Sequence, residues 1–451
     1  MDYIIYFVIT IAILVFVHEL GHFLAAKMTG MRAEVFAIGF GKRLFGWNQI
    51  NGFTFGNLPK DFDGGDHTDY RLCLIPMGGY VKIAGMIDES FDNKFAESTP
   101  QPYEFRSKST PRKLFVITAG VLMNLMLSLF IFWGINYYHG KQIINTTVLG
   151  TIQKETIAKE AGFETNDKIV SVNGKKVNNW EDVINAMIID NIGKNLDVNV
   201  LRNNEPVLLK ISKNKIKKAS KTNFFLPFGY TKPIITDVMK NSPAMDAKMK
   251  PEDIIIAINN VPVQSGQEVI NSISSSKNIQ LAVTLLRGKD TIAVSTTPSM
   301  QGKIGISISD VYDGPIEIKS YNFFSAFVVS FENIVQYTGL TYSMFKNVIV
   351  GSVEFNKVFG GPLKIAQFAA RSAESGIVSF LSFIAALSLS LAIINIFPFP
   401  VLDGGHFVII LIEGIIKKEL PIKVKIGIQN AGFVILMLLM VFIVYNDIIS
   451  F

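Results

Sequence analysis

The chain has 451 residues, too many for one ordinary domain; 49% of them are apolar and the mean hydropathy is +0.34. That composition excludes an ordinary soluble globular protein, and a single cysteine, Cys73, excludes an intrachain disulfide. The net charge of +6, from 43 basic and 37 acidic residues, clusters beside apolar segments, so it reads as juxtamembrane charge and no nucleic-acid partner is expected.

The first predicted element is the apolar run Tyr3–Ala26, in which Glu19 is the only charged residue. It exceeds the roughly 20 residues a helix needs to cross the hydrocarbon of a bilayer. Met1-Asp2-Tyr3 lacks the positive start of a signal peptide, and the first basic residues, Lys27 and Arg32, follow the run. The run therefore reads as a span with its N-terminus outside. Inside it lies His18-Glu19-Leu20-Gly21-His22. Histidines at i and i+4 share one helix face, a spacing that suits zinc. Glu19 points about 100° away, out of the ligand set but within reach of a water on the metal.

Residues 29–112 carry strand signals in Glu34–Phe40, Tyr70–Ile75 and Tyr80–Ile83, with a turn at Pro76-Met77-Gly78-Gly79. An edge strand near Gly78, Gly79 and Tyr80 could receive an extended substrate; a cap with no substrate role is equally open. Lys42, Arg43, Arg106, Lys108, Arg112 and Lys113 precede the second apolar run, Leu114–Tyr138, and place this segment in the cytoplasm.

An internal repeat follows. Ala161-Gly162-Phe163 through Asn173-Gly174 recurs as Ala247-Lys248-Met249 through Asn259-Asn260. The offset persists: 253 minus 167 and 271 minus 185 both give 86. Two tandem domains of 80–90 residues are predicted. Tyr321–Val350, apolar but interrupted by Glu332 and Lys346, reads as a helix on the membrane surface; a fifth span would reverse the sidedness of everything after it.

The third run, Ile377–Leu402, ends in Asn395-Ile396-Phe397-Pro398-Phe399-Pro400-Val401-Leu402-Asp403-Gly404-Gly405-His406. A catalytic zinc needs a third protein ligand at the depth of the two histidines, and Asp403 is the candidate. Metal coordination would offset the cost of placing a carboxylate at the end of a span. His406, at i+3, would close the site to water as a fourth ligand and is expected to act from outside the ligand set. Asn124 and Asn395, polar within apolar runs, could hold a substrate backbone or an oxyanion, or join helices. Lys417, Lys418, Lys423 and Lys425 precede the fourth run, Ile426–Asn446.

Together these residues resemble the site-2 protease family of intramembrane zinc metalloproteases, nearest its bacterial branch of sigma-E regulators. His18–His22 is similar to the family HExxH, and Asn395–Gly405 to its N-x-x-P-x-P-x-L-D-G-G segment. Phe40-Gly41-Lys42-Arg43 and Gly78–Lys82 look like its β-loop, and the repeat looks like tandem PDZ domains. The resemblance implies a polytopic α-helical membrane protein with about four transmembrane helices, a membrane-associated β-loop and two inserted α+β PDZ domains. The division is 1–28, first span; 29–112, β-loop; 113–138, second span; 140–231 and 232–314, PDZ domains; 315–376, surface helix and connection; 377–416, third span; 417–451, basic loop and fourth span.

The resemblance further implies one zinc per chain on His18, His22 and Asp403, with Glu19 as general base and acid. Substrates would be single-span membrane proteins, of anti-sigma-factor or remnant signal-peptide type, already trimmed by a site-1-type protease. The expected place is the bacterial inner membrane, with the N-terminus and PDZ pair periplasmic and the active site toward the cytoplasm. The family's G-P-x-x-N appears here as Gly120-Val121-Leu122-Met123-Asn124, without the proline, and the usual PDZ carboxylate loop is absent, with Phe228-Gly229 and Ile304-Gly305-Ile306 as loose equivalents. A metal transporter would need further ligand clusters along a path, and a scaffold with a relic site need not keep Glu19.

Overall fold

The computed structural model of the chain describes residues 2–59, 62–86, 99–152, 156–191, 194–213, 229–350 and 360–449. The chain divides into two compact units, one of residues 1–140, 320–345 and 355–451, the other of 141–319 and 346–354.

Among the described residues, seven α-helices lie wholly or mainly in the first unit, α1 (Asp2–Met28), α2 (Thr110–Tyr138), α3 (Phe323–Ile349), α4 (Pro362–Glu374), α5 (Ile377–Asn395), α6 (Asp403–Ile416) and α7 (Ile422–Ile449). Of these, α1, α2, α5 and α7 are long and apolar enough to cross a membrane. The absence of proline after Gly120 leaves α2 unbroken. The third apolar run does not stay helical. It stops at Asn395 and resumes at Asp403, because Pro398 and Pro400 remove backbone donors a continuous helix would need. Residues 315–376, read from sequence as one surface helix with a connection, contain both α3 and α4. One face of α3 is packed: Ile334 joins Phe132 of α2 and Ala385 and Leu389 of α5 in a buried cluster. Asn136 donates to Ser330 at 2.8 Å and Trp133 Nε1 to the Phe323 carbonyl at 2.9 Å.

Three antiparallel strands, β1 (Ala33–Asn48), β2 (Gly52–Phe55) and β3 (Asp69–Ile83), form the loop between α1 and α2, in the order β2-β1-β3. β3 folds back so that both its halves flank β1; Phe36, for example, pairs with Tyr70 and with Val81. Arg43 staples this loop. It is 4% exposed and donates to both carboxylate oxygens of Asp69, at 3.2 and 3.1 Å, and to the Gly56 carbonyl at 2.7 Å. Arg43 is therefore internal and makes no contribution to juxtamembrane charge, a correction to the sequence reading. Lys113, also buried, pairs with Glu419 at 3.1 Å.

The second unit contains the repeat. The first copy is a sheet of β5 (Lys168–Val172), β6 (Lys175–Lys176), β7 (Leu196–Arg202) and β8 (Glu205–Ile211) in the order β6-β5-β7-β8. It follows β4 (Lys141–Ile144), which pairs with β15 (Ile316–Lys319) and so ties the ends of the insertion together. The second copy comprises β9 (Thr231–Val238), β10 (Ile254–Ile258), β11 (Val261–Pro262), β12 (Leu281–Arg287), β13 (Asp290–Thr296) and β14 (Ile306–Tyr312). Its order is β13-β12-β10-β9-β14, with β11 beside β10. Each copy has its own buried core, around Phe163 and Val198 in one and Ile255 and Leu285 in the other. Phe228 lies outside the described residues, and Ile304-Gly305-Ile306 leads into β14.

Each copy has an equivalent ion pair on a buried aspartate. Arg202 holds Asp167 at 2.9 Å through both oxygens, and Arg287 holds Asp253 at 2.7 Å in the same way. Each aspartate also accepts a backbone N–H at 2.8 Å, from Glu164 and Lys250 respectively. Burial disfavours the charged form of Asp253, but the Arg287 guanidinium and the Lys250 N–H outweigh it and hold the carboxyl below its ordinary value. Its contribution to stability is thus present above the unfolded value of about 3.9 and lost as pH falls through the lower folded value. Asp253→Asn in the full chain should lower hydrogen-exchange protection of β10 and β12 by roughly 10- to 100-fold, the effect of about 1–3 kcal/mol for a buried partner left unpaired.

Candidate metal centre

The two imidazoles occupy one face of α1, and α2 is shaped to receive them. Val116, Gly120 and Asn124 recur every four residues along α2, so they form one stripe. The Val116 carbonyl accepts from His22 Nδ1 at 2.8 Å. Asn124 lies 3.2 Å from His18 Nδ1. Gly120 sits between them. A Cβ there would collide with His22 Nε2 and stand 2.7 Å from His18 Cε1. Gly21 approaches α2 as closely, with Ala119 and Met123 leaving no space for a side chain. The Asn124 carbonyl accepts from Ser388 of α5 at 2.8 Å, which fixes a third helix at this level.

Asp403, the first residue of α6, completes the cluster. Its Oδ2 is 3.2 Å from His18 Nε2, its Oδ1 is 3.5 Å from His22 Nε2, and the two Nε2 atoms are 3.2 Å apart. Four ligands arranged tetrahedrally at bond lengths of about 2.0–2.1 Å stand about 3.3 Å from one another. The three donor atoms therefore already have the spacing of a zinc site. Val116 obliges His22 to carry its proton on Nδ1, which leaves the Nε2 lone pair directed at the cluster. Asp403 Oδ2 is buried and accepts no hydrogen bond, as is true of Asn124 Oδ1. Exchanging the Asn124 amide nitrogen and oxygen lets His18 Nδ1–H donate to Oδ1 and gives both histidines the same tautomer. Facing lone pairs and a carboxylate at these distances fit a divalent cation. Among the described residues this is the one group of three or more His, Cys, Asp or Glu side chains spaced to hold one.

The other sequence-predicted residues sit around this cluster. Glu19 lines the same small cavity, of about 70 Å3, together with Tyr80, Val401 and His406. Gly79 lies against α1, since a Cβ there would be 2.8 Å from Val15 Cγ1 and 3.3 Å from Glu19 Cγ. Gly78 adopts φ +99°, which favours glycine. Tyr80 stacks on Phe40 with ring centroids 6.1 Å apart. Asn395, at the end of α5, directs its amide to within 3.5 Å of His18 Nε2. His406 turns toward α7, with its Nε2 3.3 Å from Gln429 Nε2, and stands apart from the three-residue cluster.

Asn124 is fully buried against His18 and has no exposed surface to offer a substrate. Sequence reasoning missed Val116, whose contribution is a carbonyl and carries no side-chain signal. Gly120 entered the sequence reading only as the start of the Gly120–Asn124 segment, with no role of its own, although the spacing of four from Gly120 to Asn124 matches that from His18 to His22. Gln429 was visible as a polar residue within the fourth apolar run.

Asn124→Leu should weaken metal binding by 10- to 100-fold while leaving helix content unchanged, and Asn124→Asp should largely retain it. Competition with a chromophoric chelator reads both.

Comparison with known proteins places these residues in context. The sequence profile described as Peptidase family M50 matches residues 6–439. The Regulator of sigma E protease of Haemophilus influenzae is 30% identical over 460 residues, covering 98% of this chain and 97% of its own. The Regulator of sigma-E protease RseP of Salmonella typhimurium is 29% identical over 461 residues, and that of Escherichia coli 28% over 460, each with the same coverage.

Proposed function

Because the chain belongs to peptidase family M50, the site-2 protease family of zinc metalloproteases, we propose that it hydrolyses peptide bonds within the membrane-spanning segments of single-span proteins. The observation that carries this reading is a zinc-spaced set of donors, His18, His22 and Asp403, of which two lie on a helix apolar enough to cross the bilayer.

His18, His22 and Asp403 would hold one zinc per chain. When bound, the metal supplies a Lewis acid that polarises the scissile carbonyl and lets water attack near neutral pH. Glu19 takes the proton of the attacking water and delivers it to the leaving amine. The Asn395 amide, directed at the metal position, donates to the carbonyl oxygen as it gains charge. A substrate helix arrives with its backbone groups paired and must unwind before its carbonyl reaches the site. β3 is an edge of its sheet and runs past Glu19 at Gly79, so strand addition there would replace the lost hydrogen bonds.

Lys42, Arg106, Lys108 and Arg112 precede or begin α2, and Lys417, Lys418, Lys423 and Lys425 lie between α6 and α7 or at the start of α7. These charges support a cytoplasmic β-loop and a periplasmic tandem insertion in a bacterial inner membrane. The tandem domains, PDZ domains in this reading, would pass only substrates already trimmed by a site-1-type protease. Anti-sigma factors and remnant signal peptides are the substrate classes that fit.

Glu19→Gln should retain the metal and lose cleavage of a trimmed single-span substrate by at least 10²- to 10⁴-fold in liposomes. Asp403→Ala should lose both metal and cleavage. Retained cleavage by the Glu19 variant would sink the mechanism.

A further inference from the structure

The segment between α5 and α6 contains a turn built from an unexpected residue. Leu402 N–H donates to the Phe399 carbonyl at 3.1 Å, which closes the four-residue turn Phe399-Pro400-Val401-Leu402. Pro400 fixes the first central position, and Val401 occupies the second with φ +79°. This is the dihedral of a type II turn, whose second central position normally carries glycine or asparagine. A β-branched residue there is strained, and such strain persists where the surrounding structure enforces it.

The enforcing contact is visible. A Cβ built on Gly432 of α7 would touch Pro400 and lie 3.0 Å from its carbonyl oxygen, so the Pro400 carbonyl faces α7. The chain has no cis peptide among its described residues. In a trans peptide the N–H points opposite to the carbonyl, so the Val401 N–H points away from α7. Val401 lines the cavity that holds Glu19 and the three clustered donors, and its N–H has no acceptor among the described residues. Tyr80, Val81 and Ile83 of β3 line the same cavity.

Resting on the protease reading above, we infer that the Val401 N–H is a binding donor: it donates to no acceptor among the described residues and is left to donate to a main-chain carbonyl of the substrate strand, on the edge away from β3. The substrate backbone is then held from both sides, by the β3 edge and by the turn that precedes Asp403. A main-chain donor is indifferent to side-chain identity, which suits an enzyme that takes apolar segments of varied sequence.

The test replaces the Val401 amide with an ester, by incorporating 2-hydroxy-3-methylbutanoic acid at that position of the full chain. The probe is a synthetic trimmed single-span peptide, and its affinity is measured in micelles in the Glu19→Gln background. The ester at 401 should weaken binding roughly tenfold, with metal content and thermal midpoint unchanged. An ester at 402, which removes the internal bond to Phe399, should instead lower the thermal midpoint. Unchanged affinity in the 401 ester overturns the inference, as does a loss of thermal stability equal to that at 402. Cleavage by the unmodified chain, run alongside, reports on the protease reading separately.

Discussion

The close approach of α1 and α2 at Gly120 is the constraint on which the site depends. Two imidazoles cannot be held between membrane-crossing helices unless one helix presents bare backbone to them, and any Cβ at Gly120 would enter the rings. In lipid there is no hydrophobic force to press helices together, so small residues and interhelix hydrogen bonds do that work. Gly21 and Gly120 bring the backbones together, and the Val116 carbonyl fixes the ring orientation once they are there. The rings in turn determine where Asp403 must stand.

Asp403 reaches that position through irregular backbone, which is tolerated at membrane depth only where protein encloses it. The two prolines end α5, the strained turn at Val401 reverses the chain, and α6 starts with its carboxylate beside the histidines. The segment is enclosed by α7, through Gly432 against Pro400 and Gln429 beside His406. On the opposite side the β-loop is held in shape by a buried Arg43–Asp69 pair, which keeps β3 in register over Glu19. Removing either partner would leave an uncompensated buried charge, so the pair acts as a rigid staple.

Much of this was legible in order along the chain. Four charge-poor runs correspond to the four helices that, among the described residues, are long and apolar enough to cross a membrane, because hydrocarbon thickness sets a minimum length that composition reveals directly. The repeat was legible because Asp167 and Asp253 recur with their neighbours, and the structure gives them the same arginine partner and the same backbone donor. The third apolar run extends to Leu402, but Pro398 and Pro400 mark a helix break within it, and the structure ends α5 at Asn395, just before them. Arg43 was misjudged because a charge in a sequence does not disclose the carboxylate that will bury it.

The sequence by itself determined the chemistry. His18, Glu19 and His22 are fixed relative to one another by helix geometry, and Asp403, which alone reads as an ordinary acidic residue at a helix end, becomes a candidate ligand only beside that pair. Only the tertiary structure decided which atoms meet. Asp403 is 385 residues from His18 in the chain, and the 3.2 Å between their donor atoms exists because four helices and a turn close around it. The Val116 carbonyl, the space at Gly120 and the direction of the Val401 N–H belong to the backbone. Backbone groups are identical at every position, so nothing in the order of side chains could have distinguished that carbonyl and that N–H, whereas Gly120 was visible as a residue but not as the space two imidazoles need.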